Sequence, residues 1–491
     1  MPRKKEAKER TAEFVQDFIP VKEIRNGIIE TTDGRYIKIL EIEPINFLLR
    51  SSEEQFNIIT SFASWLKIAP IRLQFKSVTR KADSDKHIAM LRKELDGEPN
   101  QQCKELGQEY VKLIKDVGNR EALTRRFFLI FQYEPISTRR AGTPTYNEIY
   151  SMIQTVAQNA RTYFLQCGNS IVQPKDEDAY VAEILYMFFN RKSCTDESFQ
   201  SRLDRVVIDS MTAKKKTIGL DPVPKIRTVH FVAPRGIDLT HYNYILMDGT
   251  YYSFIYIRKD GYPSTVRAGW MSALINAGEG IDIDVHLKRE IRGKTLDRVA
   301  QRIRLNRTKL RSVQDTSTDY EELTNSIQAG YYIKNGIANN NEDLFYMSVF
   351  VTISGQTYDE LMWRKQQMVD LLKSMDMYTH DCNFQQEAAL RSVMPFLYID
   401  PRLERKTKRN ILTSGAASTY MFTSFELSDD NGILLGINRH NNSLCIVDLF
   451  NTRINKNANV TILGTSGAGK TFTMQLMALR MRMRGIQCYI L

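Results

Sequence analysis

Apolar and polar residues alternate through Gly27–Thr31 and Arg35–Glu41, with Asp33-Gly34 between the two runs. Successive strand residues point to opposite faces, and Asp-Gly accepts a tight turn, so this segment predicts a β-hairpin. A helix follows, with Ser51 or Ser52 as N-cap and Glu54 or Gln55 three residues on to close a capping box. Its apolar stripe is read as Phe56, Ile59, Phe62, Ala63 and Leu66. After Pro70, Ile71–Val78 alternates as a strand. The pattern then predicts a charged helix over 85–116, strand Phe127–Tyr133, a helix over 145–165, a short strand Ser170–Val172 and two helices over 176–214.

A similar order returns downstream. Tyr242–Met247, Asp248-Gly249 and Thr250–Arg258 predict a second hairpin. A helix holding Trp270 over 265–276, strand Ile281–Leu287, long helices over 295–335, strand Leu344–Ile353, helix Tyr358–Met375 and a strand near 378–384 complete it. The repeated element order suggests two related α+β units. Lys214-Lys215-Lys216 and Asp221-Pro222-Val223-Pro224 mark the boundary between them. The division is therefore a polar arm at 1–18, an N-terminal α+β domain at 19–220, a middle α+β domain at 221–430 and a different segment at 431–491. Residues 401–413 read as a basic, polar connector.

In the last segment, Ile433–Ile437 and Ser443–Leu449 read as strands about the turn His440-Asn441-Asn442, and Val460–Leu463 as a short strand of buried type. Then comes Gly464-Thr465-Ser466-Gly467-Ala468-Gly469-Lys470-Thr471, a complete G-x-x-x-x-G-K-[ST] P-loop. A loop that wraps a polyphosphate must aim several backbone N–H groups inward. That requires unusual dihedrals and no Cβ in the way, which Gly464, Gly467 and Gly469 supply. The helix N-terminus adds partial positive charge. Lys470 reaches the β- and γ-phosphates and is the residue assigned to catalysis. Thr471 ligates magnesium, and the ATP-binding stretch runs on to Phe472. The helix from Thr471 ends at Gly485, and Arg480, Arg482 and Arg484 suit its C-terminal dipole. Gln487–Leu491 reads as a further strand, and no Asp or Glu follows Asp448. A P-loop hydrolase also needs a carboxylate on a later strand to hold magnesium. The expectation is thus the incomplete start of a RecA-like α/β domain, cut off shortly after the P-loop, with ATP and Mg2+ as cofactors.

Composition changes this picture little. Hydrophobic residues make up 42% and charged residues 25%, which is ordinary globular usage. The formal charge of +11 permits contact with nucleic acid or an anionic membrane without demanding it. Six scattered cysteines and six scattered histidines show no metal-ligand spacing. The charged start Met-Pro-Arg-Lys-Lys is followed by no apolar stretch, so it does not read as a secretory signal. No window approaches the ~20 apolar residues that span a bilayer.

Taken with the P-loop, Phe18–Glu23, Thr32–Tyr36, Glu43–Ser51, Gly261-Tyr262-Pro263 through Gly269-Trp270, Gly432–Asn438, Asp448-Leu449-Phe450 and Asn457-Ala458-Asn459 resemble one family. It is the large ATPases of type IV secretion and conjugative transfer, of the TraC/VirB-four type, in the versions found in Gram-positive integrative conjugative elements. The resemblance implies a cytoplasmic ATPase docked peripherally on the inner face of the cell membrane. It would power channel assembly or transfer together with secretion-channel proteins, as a homo-oligomer that is a hexamer in the family. Only Gly464, Gly467, Gly469, Lys470 and Thr471 carry over. The family's acidic magnesium-site residue and arginine finger have no counterpart here, so a non-hydrolysing module that docks on the channel or on full-length ATPase is the alternative. A DNA-handling P-loop protein is the weaker third reading.

Three other features carry two readings each. Lys288–Arg311 holds ten basic residues against Glu290 and Asp297. It lacks interleaved aromatics, so a solvated face is preferred to a nucleic-acid or membrane surface. Leu361, Met362, Met368, Leu371, Leu372 and Met375 are assigned to core packing rather than to a partner. Asp282 and Asp284, alternating with Ile281, Ile283 and Val285, are expected on one solvent-facing side of a strand.

Overall fold

The computed structural model describes residues 15–81, 85–120, 123–135, 144–206, 227–263, 265–312, 318–425, 429, 432–438, 443–452 and 457–489. The first hairpin forms as β2 (Ile28–Thr31) and β3 (Tyr36–Ile42), preceded by β1 (Val21–Arg25). Asn26 and Gly27, at φ 52° and 65°, make the turn from β1 to β2, a left-handed pair that matches the twist of a two-residue hairpin. Asp248 and Gly249 repeat this at φ 50° and 70°. They lie between β7 (Ile245–Met247) and β8 (Thr250–Ile257), with β6 (Ile237–Asp238) ahead.

Four long strands complete the two units: β4 (Arg72–Lys81), β5 (Leu123–Gln132), β9 (Ile281–Arg289) and β10 (Leu344–Gly355). Among the described residues they belong to one antiparallel sheet, of order β1-β2-β3-β5-β4-β9-β10-β8-β7-β6. The order is palindromic. Each unit runs hairpin, helix, strand, helical hairpin, strand, helix, and the two meet where β4 pairs with β9. The first helical hairpin is Asp85–Asp96 with Gln101–Arg120, and the second is Arg292–Leu310 with Thr318–Ala338. β11 (Thr379–Asp381) adds to β8, as the Ile171 bridge adds to Ile42 in the first unit.

Helices cover both faces of the sheet. On one, Phe62 and Trp65 from helix Ser52–Ile68, Phe164 from helix Tyr146–Gln166, and Phe422 enclose Phe75, with the Phe164 and Phe422 rings 5.0 Å apart. On the other, helices Glu177–Phe189 and Gln386–Val393 pack on Phe128, Ile130, Phe254 and Phe350.

This two-sided cover overturns the solvent-facing placement of Asp282 and Asp284. Asp284 is wholly buried, and its carboxylate accepts from Lys76 Nζ at 2.7 Å and Gln74 Nε2 at 2.8 Å. Asp282 is gripped by both terminal nitrogens of Arg191 at 3.0 Å and by the Thr79 amide at 2.9 Å. The last carbonyls of helix Gln386–Val393 have no intrahelical donor. Lys76 supplies one to Val393 O at 3.0 Å, Gln74 one to Met394 O at 3.1 Å, and His286 Nε2 lies 2.9 Å from Ser392 O. Burial raises the Asp284 carboxyl to about 6, against the pull of Lys76. It lowers His286 to about 3, so that ring is neutral.

Other expectations shift locally. The buried stripe of helix Ser52–Ile68 is Ile58, Phe62, Trp65 and Leu66, because Trp65 turns inward, and Phe56 is left 70% exposed. The capping box closes on Ser51 and Glu54. The 85–116 helix breaks at Gly97–Asn100, where Pro99 removes a donor and bars the helical conformation before it. Only Met271–Ile275 is helical in 265–276. The presumed connector 401–413 holds helix Pro401–Thr407 and strand β12 (Arg409–Leu412), which pairs with β10. Leu361, Met368 and Leu372 are core residues. Of the polar arm, Val15–Phe18 is a helical turn with Phe18 buried, and residues 1–14 lie outside the described residues. So do Lys214–Lys216, Asp221–Pro224 and His440–Asn442.

Two measurements test the buried seam. Replacing Lys76 by Met leaves a charge stranded, so K76M should lose about 3–5 kcal/mol in urea unfolding, and K76M/D284L should recover most of it. A K76M protein as stable as the parent would refute the pairing. His286 is held below its ordinary 6.5, so its contribution is present above that pH and is lost as pH falls from about 6.5 towards 3. Melting temperature should therefore fall more steeply with acidification in the parent than in H286L, and parallel curves would contradict this.

Candidate functional site

The P-loop segment begins with a two-stranded antiparallel ribbon, β13 (Ile433–Ile437) with β14 (Leu444–Val447). It ends in helix Lys470–Met483. Val460–Leu463 is not a strand, because no described strand lies beside it to accept its hydrogen bonds, and Leu463 is 87% exposed. Gln487–Tyr489 is likewise unpaired, and Ile490 and Leu491 lie outside the described residues. The parallel sheet of a RecA-like domain is not seen among the described residues.

The loop itself is built for close approach. Gly467 and Gly469 stand at φ 77° and 82°, where a side chain would be strained, and Gly469 caps the helix. Among the described residues the amides of Ser466, Gly467 and Gly469 donate no hydrogen bond, while the Ala468 amide bonds to Thr465 O at 3.3 Å. Lys470 curls over the loop and donates to Gly464 O at 2.9 Å and Thr465 O at 2.7 Å. The ammonium thus stands over a turn with unsatisfied donors, at a helix N-terminus, an arrangement that favours an anion. Thr471 is exposed at the first turn, and Phe472 is 67% exposed beside it.

The far end of this helix is anchored. Arg482 grips Glu98 through two bonds of 2.7 and 2.9 Å, and Arg484 grips Glu94 at 2.9 and 2.8 Å while donating to Gly432 O. Arg480 lies over the Tyr110 ring and donates to Leu434 O, and Tyr110 accepts from the Leu434 amide at 2.8 Å. Below these contacts Leu434, Leu444, Ile446 and Met483 pack on Ile88, Leu91, Leu95, Val111 and Ile114 of the first helical hairpin. The three arginines, assigned from the sequence to the helix dipole alone, are therefore the docking contacts. Their spacing of two residues hinted at a surface, but the acidic partners lie some 380 positions earlier. Gly485, at φ 73°, ends the helix as expected.

Residues 22–152 match the archaeal TraC-like domain. The match spans β1 to the start of helix Tyr146–Gln166, including the hairpin that carries the P-loop segment. It supports a TraC-like, conjugation-related protein. No curated protein matches the chain. Among the described residues no helix is long and apolar enough to cross a membrane.

If the bidentate pairs hold the segment, E94A/E98A should speed its release by protease. Trypsin digestion should free the P-loop segment from the double variant first, leaving the TraC-like region intact. Equal cleavage rates in parent and variant would show that the arginine contacts do not anchor it.

Proposed function

We propose that this chain is an ATP-binding subunit of a conjugative-transfer or type IV secretion system. In this role its P-loop grips Mg-ATP and its family's work is ATP hydrolysis for channel assembly or for transfer of DNA or protein. The observation that carries the reading is the loop at Gly464–Thr471, with unsatisfied amides, two left-handed glycines and an ammonium poised over them. The TraC-like match in the same chain supports the setting. On binding, Lys470 would exchange the Gly464 and Thr465 carbonyls for phosphate oxygens, a charge-assisted gain. The Thr471 hydroxyl would hold magnesium, which neutralises charge between the β- and γ-phosphates. Phe472, beside the loop, would flank the nucleotide. The segment would act as part of a RecA-like motor in a homo-oligomer, on the cytoplasmic face of the membrane beside channel proteins.

A second reading is favoured by one observation. Glu94 and Glu98 clamp Arg482 and Arg484, so the P-loop helix is held as a docked part of the molecule. As such a module, the chain would bind nucleotide and dock without turning it over.

Fluorescent ATP analogue with Mg2+ should bind the parent, and K470A should weaken binding about ten- to hundredfold, the worth of a charge-assisted contact. Absence of binding by the parent, or equal binding by K470A, would overturn the proposal. Phosphate release by the parent that K470A abolishes would select the hydrolytic reading, and binding without release would select the docking module.

A further inference from the structure

Among the described residues the second helical hairpin carries no counterpart of the P-loop segment. Its helix Thr318–Ala338 instead forms one wall of a cleft of about 860 Å³. The opposite wall is the loop after β8 and strand β12. The size is that of a small-ligand site rather than a packing defect.

The lining is chemically specific. Lys259, Lys408 and Arg409 contribute cations. The acid beside them, Asp260, is already bound to Arg258 at 2.7 Å. Trp270 and Tyr262 also line the cleft, with the indole nitrogen and the Tyr262 hydroxyl themselves closed off from it. The cations of the cleft therefore call for an anionic ligand. Tyr332, 68% exposed on the helical wall, adds an aromatic face.

The same helix links the cleft to the basic run. Tyr331, next to Tyr332, meets Arg307 of helix Arg292–Leu310 at 3.3 Å. Arg302, Arg304, Lys309 and Arg311 on or beside that helix are exposed, and none forms an ion pair among the described residues. The aromatics missing from the basic run are thus supplied by the neighbouring helix.

We infer that this cleft binds a nucleotide unit, base plus phosphate, of a single-stranded nucleic acid that continues onto the basic helix. One base stacks on Tyr332, and a phosphate meets Lys259 and Arg409. The inference is independent of the P-loop. It fits a protein of transfer systems but rests on the cleft alone.

Fluorescence anisotropy of a short labelled oligothymidylate at low salt tests it on the full chain. The parent should bind with an affinity that falls as salt rises, and Y332A and K259E, both at exposed positions, should each weaken binding about tenfold. K470A should bind like the parent. Thymidine monophosphate that displaces the oligonucleotide at similar concentration would uphold the base-plus-phosphate chemistry and assign it to a free nucleotide. No binding by the parent, binding unchanged in both cleft variants, or loss of binding in K470A would overturn the inference.

Discussion

At the middle of the sheet a lysine ammonium and an aspartate carboxylate face each other 2.7 Å apart, with almost no access to solvent. Neither charge could be left there alone, because stripping water from an ion costs several kcal/mol. Each therefore fixes the other, and since Lys76 lies on β4 and Asp284 on β9, the pair fixes how the two halves of the chain meet. The surrounding bonds extend the constraint. Gln74 and Lys76 also tie down the end of helix Gln386–Val393, and Arg191 reaches in to Asp282 from the segment after helix Glu177–Phe189. A polar network on this scale specifies register more than it adds stability.

Given that seam, the symmetry of the architecture is broken outside the sheet. Both halves project a helical hairpin. The first has an apolar side, Ile88, Leu91 and Ile114, rimmed by Glu94 and Glu98, and it receives the P-loop segment. The second has a basic helix and a cleft of aromatic and cationic residues. The P-loop stands about 20 Å along its helix from the anchored end, so the docking contacts orient it without crowding it. Leu463, Phe472 and Met474, on or beside it in sequence, remain open to solvent.

Much of this was readable in the chain. Asp33-Gly34 and Asp248-Gly249 located the hairpins, Ser51 with Glu54 located a helix start, and the glycine spacing located the phosphate loop, because each rests on local backbone chemistry. The element order read along the chain also matches the order of strands and helices in the two halves of the sheet. What failed depended on distant partners. Asp282 and Asp284 looked solvated because alternation does not say whether a strand is covered on one face or both. The run 401–413 looked like a connector because an edge strand needs few apolar residues. Val460–Leu463 had the composition of a buried strand, but a strand also requires a neighbour. The docking role of Arg482 and Arg484 lay beyond any local pattern, since its cause is two glutamates in the other third of the molecule.

Counted back from the ends of their strands, Lys81 and Arg289, Lys76 and Asp284 occupy the same place in the two repeats. They are also paired directly with each other across the seam. Were two copies of the first half to associate through β4, ammonium would confront ammonium in a dry interior, and two second halves would set carboxylate against carboxylate. Unlike halves set ammonium against carboxylate instead, so the charge pair favours the observed joining of β4 to β9 over a self-paired one.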